Sequence, residues 1–175
     1  VASAISYVDT DGFEVGPAAP LTNFLTKYTD NKDAGIVTGG TTTLKAGGAV
    51  TQSDQIISDK LCLQGVSATY TLENTSNEIG TFSATGDSIP SATGTISIVN
   101  KTDCTIGAVS SVDGVYAESF ALKNTGTLTI DKPITTTAGN ILIDSTESTT
   151  ILAAGTITAT GSNATVTFGD ATYTG

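Results

Sequence analysis

Three carboxylates within six residues, near the start of the chain, are the first candidates for chemistry. Asp9, Asp11 and Glu14 lie in the stretch DTDGFE. Carboxylate oxygens are the ligands that calcium prefers, and the spacing matches half of an Asp-x-Asp-x-Asp-Gly loop. The glycine follows the second aspartate directly and no glutamate closes the far end, so acids elsewhere, such as Asp30 and Asp33, would have to complete a site. The other interpretation is a plain Asp-Gly turn with solvated carboxylates.

The remaining side-chain inventory argues against catalysis. The chain contains no His, Arg, Trp or Met. Without His there is no Ser-His-Asp or Cys-His arrangement and no imidazole ligand for zinc. A pair of carboxylates could still cleave a glycosidic bond, but sugar-cleaving clefts usually offer aromatic platforms, and Trp is absent. We therefore expect a protein that is not an enzyme. A carbohydrate-binding module is open, with its tyrosines as platforms: Tyr7, Tyr28, Tyr70, Tyr116 and Tyr173.

The charge balance excludes two classes of partner. Net charge is −10, and all seven positive charges are Lys. Phosphates require a basic patch, so we expect neither nucleic acid nor an anionic membrane surface as a partner. No stretch approaches the roughly 18 apolar residues of a transmembrane helix, so we expect no membrane insertion. The chain begins at Val1 without a signal peptide, which indicates a secreted, processed protein at the cell surface or, alternatively, a cloned fragment.

Two cysteines, Cys62 and Cys104, are consistent with an oxidising compartment. There, a single pair is typical of one disulfide, which would enclose about 40 residues and stabilise the fold by about 4 kcal/mol. The alternative is two buried free thiols. Three sequons, at Asn74, Asn100 and Asn163, permit glycosylation in a secreted protein, although a chain this rich in Ser and Thr contains such triplets by chance.

Short strands recur along most of the chain. Apolar residues alternate with Thr and Ser in segments such as ATYTLE, GTISIV, TLTI and ILI, with Gly, Asn and Asp between them. Period two with a polar face predicts half-buried antiparallel strands, hence an all-β sandwich or jelly roll. The repetitive C-terminal part leaves a parallel β-helix as the alternative, although no fixed period aligns its pieces. One short helix is predicted over residues 20–28, where PLTNFLTKY has one apolar face.

The first eight residues differ from a typical terminus. Val1, Ser3, Ile5 and Tyr7 share one face of a predicted strand that carries no charge before Asp9. Free termini tend to be polar, so a strand this apolar suits burial on both faces. Two interpretations are open: a strand paired within its own domain, or one donated to a neighbouring subunit. We divide the chain into residues 1–15, a strand and acidic hinge, and residues 16–175, a single β-sandwich domain.

This acidic, Thr-, Gly- and Ala-rich all-β layout with one cysteine pair resembles secreted filament subunits that assemble by donor-strand complementation. Biofilm fibres and archaeal threads, bundling pili and cannulae are the nearest in style. The chain departs from chaperone–usher pilins, because about 60 residues precede Cys62. The resemblance implies a structural subunit whose partner is itself, a homopolymer joined by exchange of the N-terminal strand. The alternative is a monomeric cell-surface adhesin or carbohydrate-binding module, which could be β-helical.

Overall fold

The fold is a parallel β-solenoid of about six turns. The computed structural model describes residues 2–16, 35–87 and 91–169, and these residues contain strands but no helix. The expectation of an all-β protein is therefore confirmed for this part of the chain. The antiparallel sandwich or jelly roll is wrong, because every pairing within the 16-stranded main sheet is parallel. The parallel β-helix, the alternative from the sequence, is the architecture observed.

Three faces wind around one core, and their strands, numbered in chain order, are as follows. The first face is formed by β1 (Ala2–Asp9), β3 (Ile36–Ala46), β5 (Ile56–Gln64), β7 (Glu78–Thr85), β9 (Cys104–Ile106), β13 (Leu128–Ile130) and β16 (Thr149–Ile151). The second is formed by β2 (Phe13–Val15), β4 (Val50–Gln52), β6 (Tyr70–Leu72), β8 (Thr93–Asn100), β12 (Val115–Asn124), β15 (Ile141–Ser145) and β18 (Val166–Phe168). The start of β12 stacks with β14 (Ile134–Thr136) and β17 (Ile157–Ala159) on the third face, and a separate antiparallel hairpin joins β10 (Ala108–Val109) to β11 (Val112–Asp113).

The interior consists of columns of side chains, in which each residue lies above its counterpart in the next turn. Burial of these apolar side chains is the main favourable term for such a fold. Two columns on the first and third faces run through Ile5, Thr42, Leu61, Phe82, Ile106, Ile130 and Ile151, and through Tyr7, Leu44, Leu63, Ala84, Val115, Ile134 and Ile157. On the second face a column runs through Phe13, Val50, Tyr70, Ile96, Phe120, Ile141 and Val166, and another through Leu72, Ile98, Leu122, Ile143 and Phe168.

Aromatic contacts join the faces across this interior. The rings of Phe82 and Phe120 stack nearly parallel, with their centroids 6.0 Å apart. The buried Tyr70 hydroxyl donates to the carbonyl oxygens of Leu44, at 3.1 Å, and Gln64, at 2.5 Å. Its polar tip is thus paired, as a buried phenol requires. Burial also raises the pKa of the Tyr70 phenol well above its ordinary value.

A ladder of buried asparagines holds the corner between the second face and the first. Asn77, Asn100 and Asn124 are all fully buried. The side chain of Asn100 accepts from the backbone N–H of Ile79 at 2.8 Å and donates to Oδ1 of Asn124 at 2.9 Å and to the carbonyl of Thr102 at 2.7 Å. These side chains satisfy backbone groups at a turn where the strand ladder is interrupted.

Candidate functional site

The N-terminal acids form a turn in the structure. Oδ1 of Asp9 accepts a hydrogen bond from the backbone N–H of Asp11 at 2.8 Å, and the Tyr7 hydroxyl donates to Oδ2 of Asp9 at 3.3 Å. Glu14 follows on β2 and points away from the core. Among the described residues, no three His, Cys, Asp or Glu side chains are placed to hold a metal ion. Calcium binding by Asp9, Asp11 and Glu14 stays a prediction, and Asp30 and Asp33 lie outside the described residues.

The candidate donor strand lies on its own chain. β1 pairs in parallel with β3 from Ala2 to Asp9, so that Ile5 and Tyr7 enter the core columns. The ring of Tyr7 also packs edge-on against Phe13, with centroids 4.6 Å apart. The strand therefore has an intramolecular partner here and extends the main sheet, while the division of the chain into residues 1–15 and 16–175 stays a prediction. Val1 and the helix predicted over residues 20–28 lie outside the described residues, and nothing is described of the Ser3 side chain.

The two cysteines are free, and the structure does not bring them together. Cys104 faces the main core, whereas Cys62 faces outward beneath the β10–β11 hairpin, against Val109 and Val112. Cys62 on β5 and Cys104 on β9 are separated by one intervening strand, β7, and are offset by three residues along the strands. Their Cα atoms are therefore about 14 Å apart, whereas a disulfide requires a Cα–Cα distance below about 7 Å. Burial raises the pKa of the Cys62 thiol and raises that of Cys104 to about 12. The expected Cys62–Cys104 disulfide is therefore replaced by two buried thiols.

The three sequons lie in different surroundings. Asn100 belongs to the buried ladder and is 0% exposed, so this fold has no room for a glycan on its amide. Asn74 is half-buried, and its side chain donates to the carbonyl of Ser53 at 3.1 Å. Asn163 is exposed in a turn, with a positive φ of 64° that Asn tolerates well. Glycosylation at Asn74 and Asn163 stays a prediction, and the expectation for Asn100 is incompatible with the folded structure.

At the two ends of the solenoid, apolar side chains of the core columns become exposed. In the last described turn Ile151 is 49% exposed, Val166 41% and Phe168 49%, although all three occupy core columns. At the other end Tyr7 is 45% exposed. Their exposure follows from position, since these residues have a stacked neighbour on one side only. Among the residues that the structure describes, each end thus presents apolar side chains of the core columns.

A cavity of about 290 Å³ opens at the N-terminal end. Its wall is mainly apolar and includes Ile5, Phe13, Val15 and Leu44. The cavity continues the line of the core columns. The sequence analysis did not predict these end surfaces. They form only when successive turns stack along one axis, and the sequence pattern does not show which strands are stacked.

The described residues include no helix long and apolar enough to cross a membrane. Comparison with protein-family models, with curated proteins and with solved structures found no match to this chain.

Proposed function

We propose that this chain is a structural module of an extracellular surface protein, in which the β-helix forms a rigid rod that is continued along its axis by further turns. The observation that carries the proposal is the set of core columns that reach both ends with apolar residues exposed. A solenoid is stabilised by contacts between neighbouring turns, and its terminal turns need a polar outer face to be soluble alone. The last described turn instead presents Ile151, Val166 and Phe168.

The strands of the last described turn also lack the usual devices that block strand addition. Natural edges carry Lys, Pro or a bulge that prevents pairing. β16, β17 and β18 read TTI, ITA and VTF, without charge, Pro or register shift. Among the described residues no strand pairs with their outer edges, and these three strands run parallel to the others of the main sheet. A further parallel turn could therefore pair there without any rearrangement.

Assembly remains part of the proposal, but with a different contact from the one expected. β1 is already paired to β3, so we place the junction at the solenoid end and not in an exchanged N-terminal strand. The absence of enzymatic activity and the extracellular location remain expectations from composition. Axial continuation accounts for the absence of charged residues from β16, β17 and β18, the strands of the last described turn.

Charge placed in the end core tests this function. We would substitute Ile151→Lys and Phe168→Lys in cells that produce the protein, with the outward-facing neighbours Thr150→Lys and Thr167→Lys as matched controls. Immunogold electron microscopy of intact cells should show surface label on thin projections that shorten in the first pair only, because a buried ammonium is costly. Far-UV circular dichroism of each purified variant checks that the module still folds.

Two results would contradict the proposal. Label confined to permeabilised cells would exclude a surface role. Projections of equal length in all four folded variants would show that the exposed core columns are not a junction.

A further inference from the structure

A second cavity lies on the side of the solenoid and shares no residue with the N-terminal cavity or with the turn formed by Asp9. Its volume is about 430 Å³, within the range of roughly 300–1,000 Å³ that is usual for small-molecule sites. It forms where the β10–β11 hairpin returns into β12, beside the turn that links β13 to β14. Asp113, Tyr116, Lys132, Pro133 and Thr135 contribute to its wall. We call this cavity the lateral groove.

The backbone of the lateral groove is fixed by close packing. Gly114 has a φ of +73°, and a Cβ at this position would lie 2.1 Å from the carbonyl oxygen of Pro133. The same carbonyl accepts from the N–H of Val115 at 2.8 Å, while the N–H of Gly114 donates to the carbonyl of Gly107 at 3.0 Å. Only glycine meets both requirements at residue 114. The groove is thus preformed, which lowers the entropic cost of binding a ligand.

Four polar side chains at this groove have no partner in the part of the chain that the structure describes. Among the residues that the structure describes, the side chains of Asp113, Tyr116, Lys132 and Thr135 make no hydrogen bond or ion pair. Tyr116 and Thr135 are adjacent on neighbouring strands, so their side chains stand side by side on the outer surface. One carboxylate, one ammonium, one phenol and one hydroxyl are therefore free at a single concave surface.

The combination of groups points to the class of ligand. One Lys beside a carboxylate is a weak site for phosphate or sulfate, which favour clustered cations and Arg forks. The wall also carries apolar atoms of Val115, Pro133 and Ala154, but a purely apolar ligand would cover the free polar groups without pairing them, which costs free energy. A hexose offers a C–H face for an aromatic ring and a rim of hydroxyls that both donate and accept hydrogen bonds. Because the Asp113 and Lys132 charges cancel, a neutral sugar fits better than an acidic one.

We propose that the lateral groove binds a neutral hexose unit of a glycan, with Tyr116 as the stacking platform and Asp113 and Lys132 as hydrogen-bonding groups. The site goes beyond the proposed structural role, since a rod needs no such groove. It would make the same module adhesive along its side while the ends carry the axial contacts. The two roles use separate residues and can fail separately.

Binding of defined sugars to the purified full chain tests the proposal. An array of neutral gluco-, manno- and galacto-oligosaccharides identifies the probe, and calorimetry with the best one gives its Kd. We expect Tyr116→Ala to weaken binding roughly tenfold, the amount that loss of an aromatic contact represents. Asp113→Asn should weaken it several-fold, and Tyr116→Phe should keep most of the affinity because the ring remains. Tyr7→Ala, at the N-terminal end, is the matched control and should bind like the parent chain.

The outcomes separate clearly. Binding of a neutral oligosaccharide that is lost in folded Tyr116→Ala and kept in Tyr7→Ala supports the proposal. Should Tyr116→Ala fail to fold, the ratio of the Kd of Asp113→Asn to that of the parent chain decides the same question. Absence of binding to every neutral sugar, binding of sulfated sugars alone, or an affinity indifferent to both groove substitutions would overturn it.

Discussion

Replacement of Asn100 by Ala should be among the most damaging single changes in this fold. The Asn100 side chain is 0% exposed and makes four hydrogen bonds. One is accepted from the N–H of Ile79 at 2.8 Å, and another is donated to Oδ1 of Asn124 at 2.9 Å. Alanine would leave buried polar groups of Ile79, Thr102 and Asn124 without these partners. Each such group costs about 1–3 kcal/mol, and because part of the loss can be relieved by rearrangement, we expect a total of about 2–5 kcal/mol. That is a large share of the roughly 5–15 kcal/mol by which domains are stable.

Urea unfolding followed by far-UV circular dichroism measures this change. With a slope of about 2 kcal/mol per molar urea, the midpoint of Asn100→Ala should fall by about 1–2.5 M. Thr125→Ala is the control, because Thr125 is exposed in the same corner and its side chain has no hydrogen bond among the described residues. The variant Asn124→Ala supplies a double-mutant cycle, in which the shared amide contact predicts coupling of about 0.5–2 kcal/mol. A midpoint for Asn100→Ala equal to that of Thr125→Ala would refute the ladder as a source of stability.

Three further predictions concern the thiols, the core and a corner. Cys62 and Cys104 should both resist a thiol reagent at pH 8 until urea unfolds the chain, because both thiols are buried and have raised pKa values. In urea the reagent should then react with two thiols per chain, and fewer than two would indicate a disulfide. Phe82→Ala should lower the free energy of unfolding by about 3–5 kcal/mol, because it leaves a cavity where the buried Phe82 ring stacks on Phe120. An effect below about 1 kcal/mol in the same urea assay would contradict this packing. Gly155→Ala should lower the free energy of unfolding by about 1–3 kcal/mol, because the new Cβ would lie 2.1 Å from the carbonyl oxygen of Ile130 in the preceding turn. An unchanged melting temperature would show that the backbone at Gly155 can move away from Ile130 at little cost.

Strand direction is where sequence reasoning failed. Alternation of Leu128 and Ile130 with Thr127 and Thr129 correctly indicates a strand with one wet face. Such alternation usually marks antiparallel sheets, because parallel sheets are commonly covered on both sides. In a solenoid the parallel sheet also has one face in the core and one in water, so it produces the same pattern. The choice between the two folds rests on which strands pair, and period two does not contain that information.

The repeat was hidden for a geometric reason. On the second face, successive column members from Val50 to Val166 lie between 20 and 26 residues apart. The spacing varies because the connections between strands differ in length, including the one that carries the β10–β11 hairpin, and the extra residues lie outside the core. Only short motifs recur, such as an inward apolar residue two positions before Asn100 and Asn124. That signal is present in the sequence, but at Asn100 it coincides with a sequon, which indicates glycosylation instead.

The sequence by itself determined that this chain is built of strands, with Thr and Ser facing water and a core of branched aliphatic side chains. These properties are local, since they depend on residue type and on the spacing of neighbours along the chain. Tertiary structure decided the rest. It placed Cys62 and Cys104 on opposite sides of one sheet, buried Asn100, paired the first strand within its own chain, and assembled the lateral groove from Asp113 and Lys132. Each of these depends on which turn lies above which, and that is fixed by packing between residues far apart in sequence.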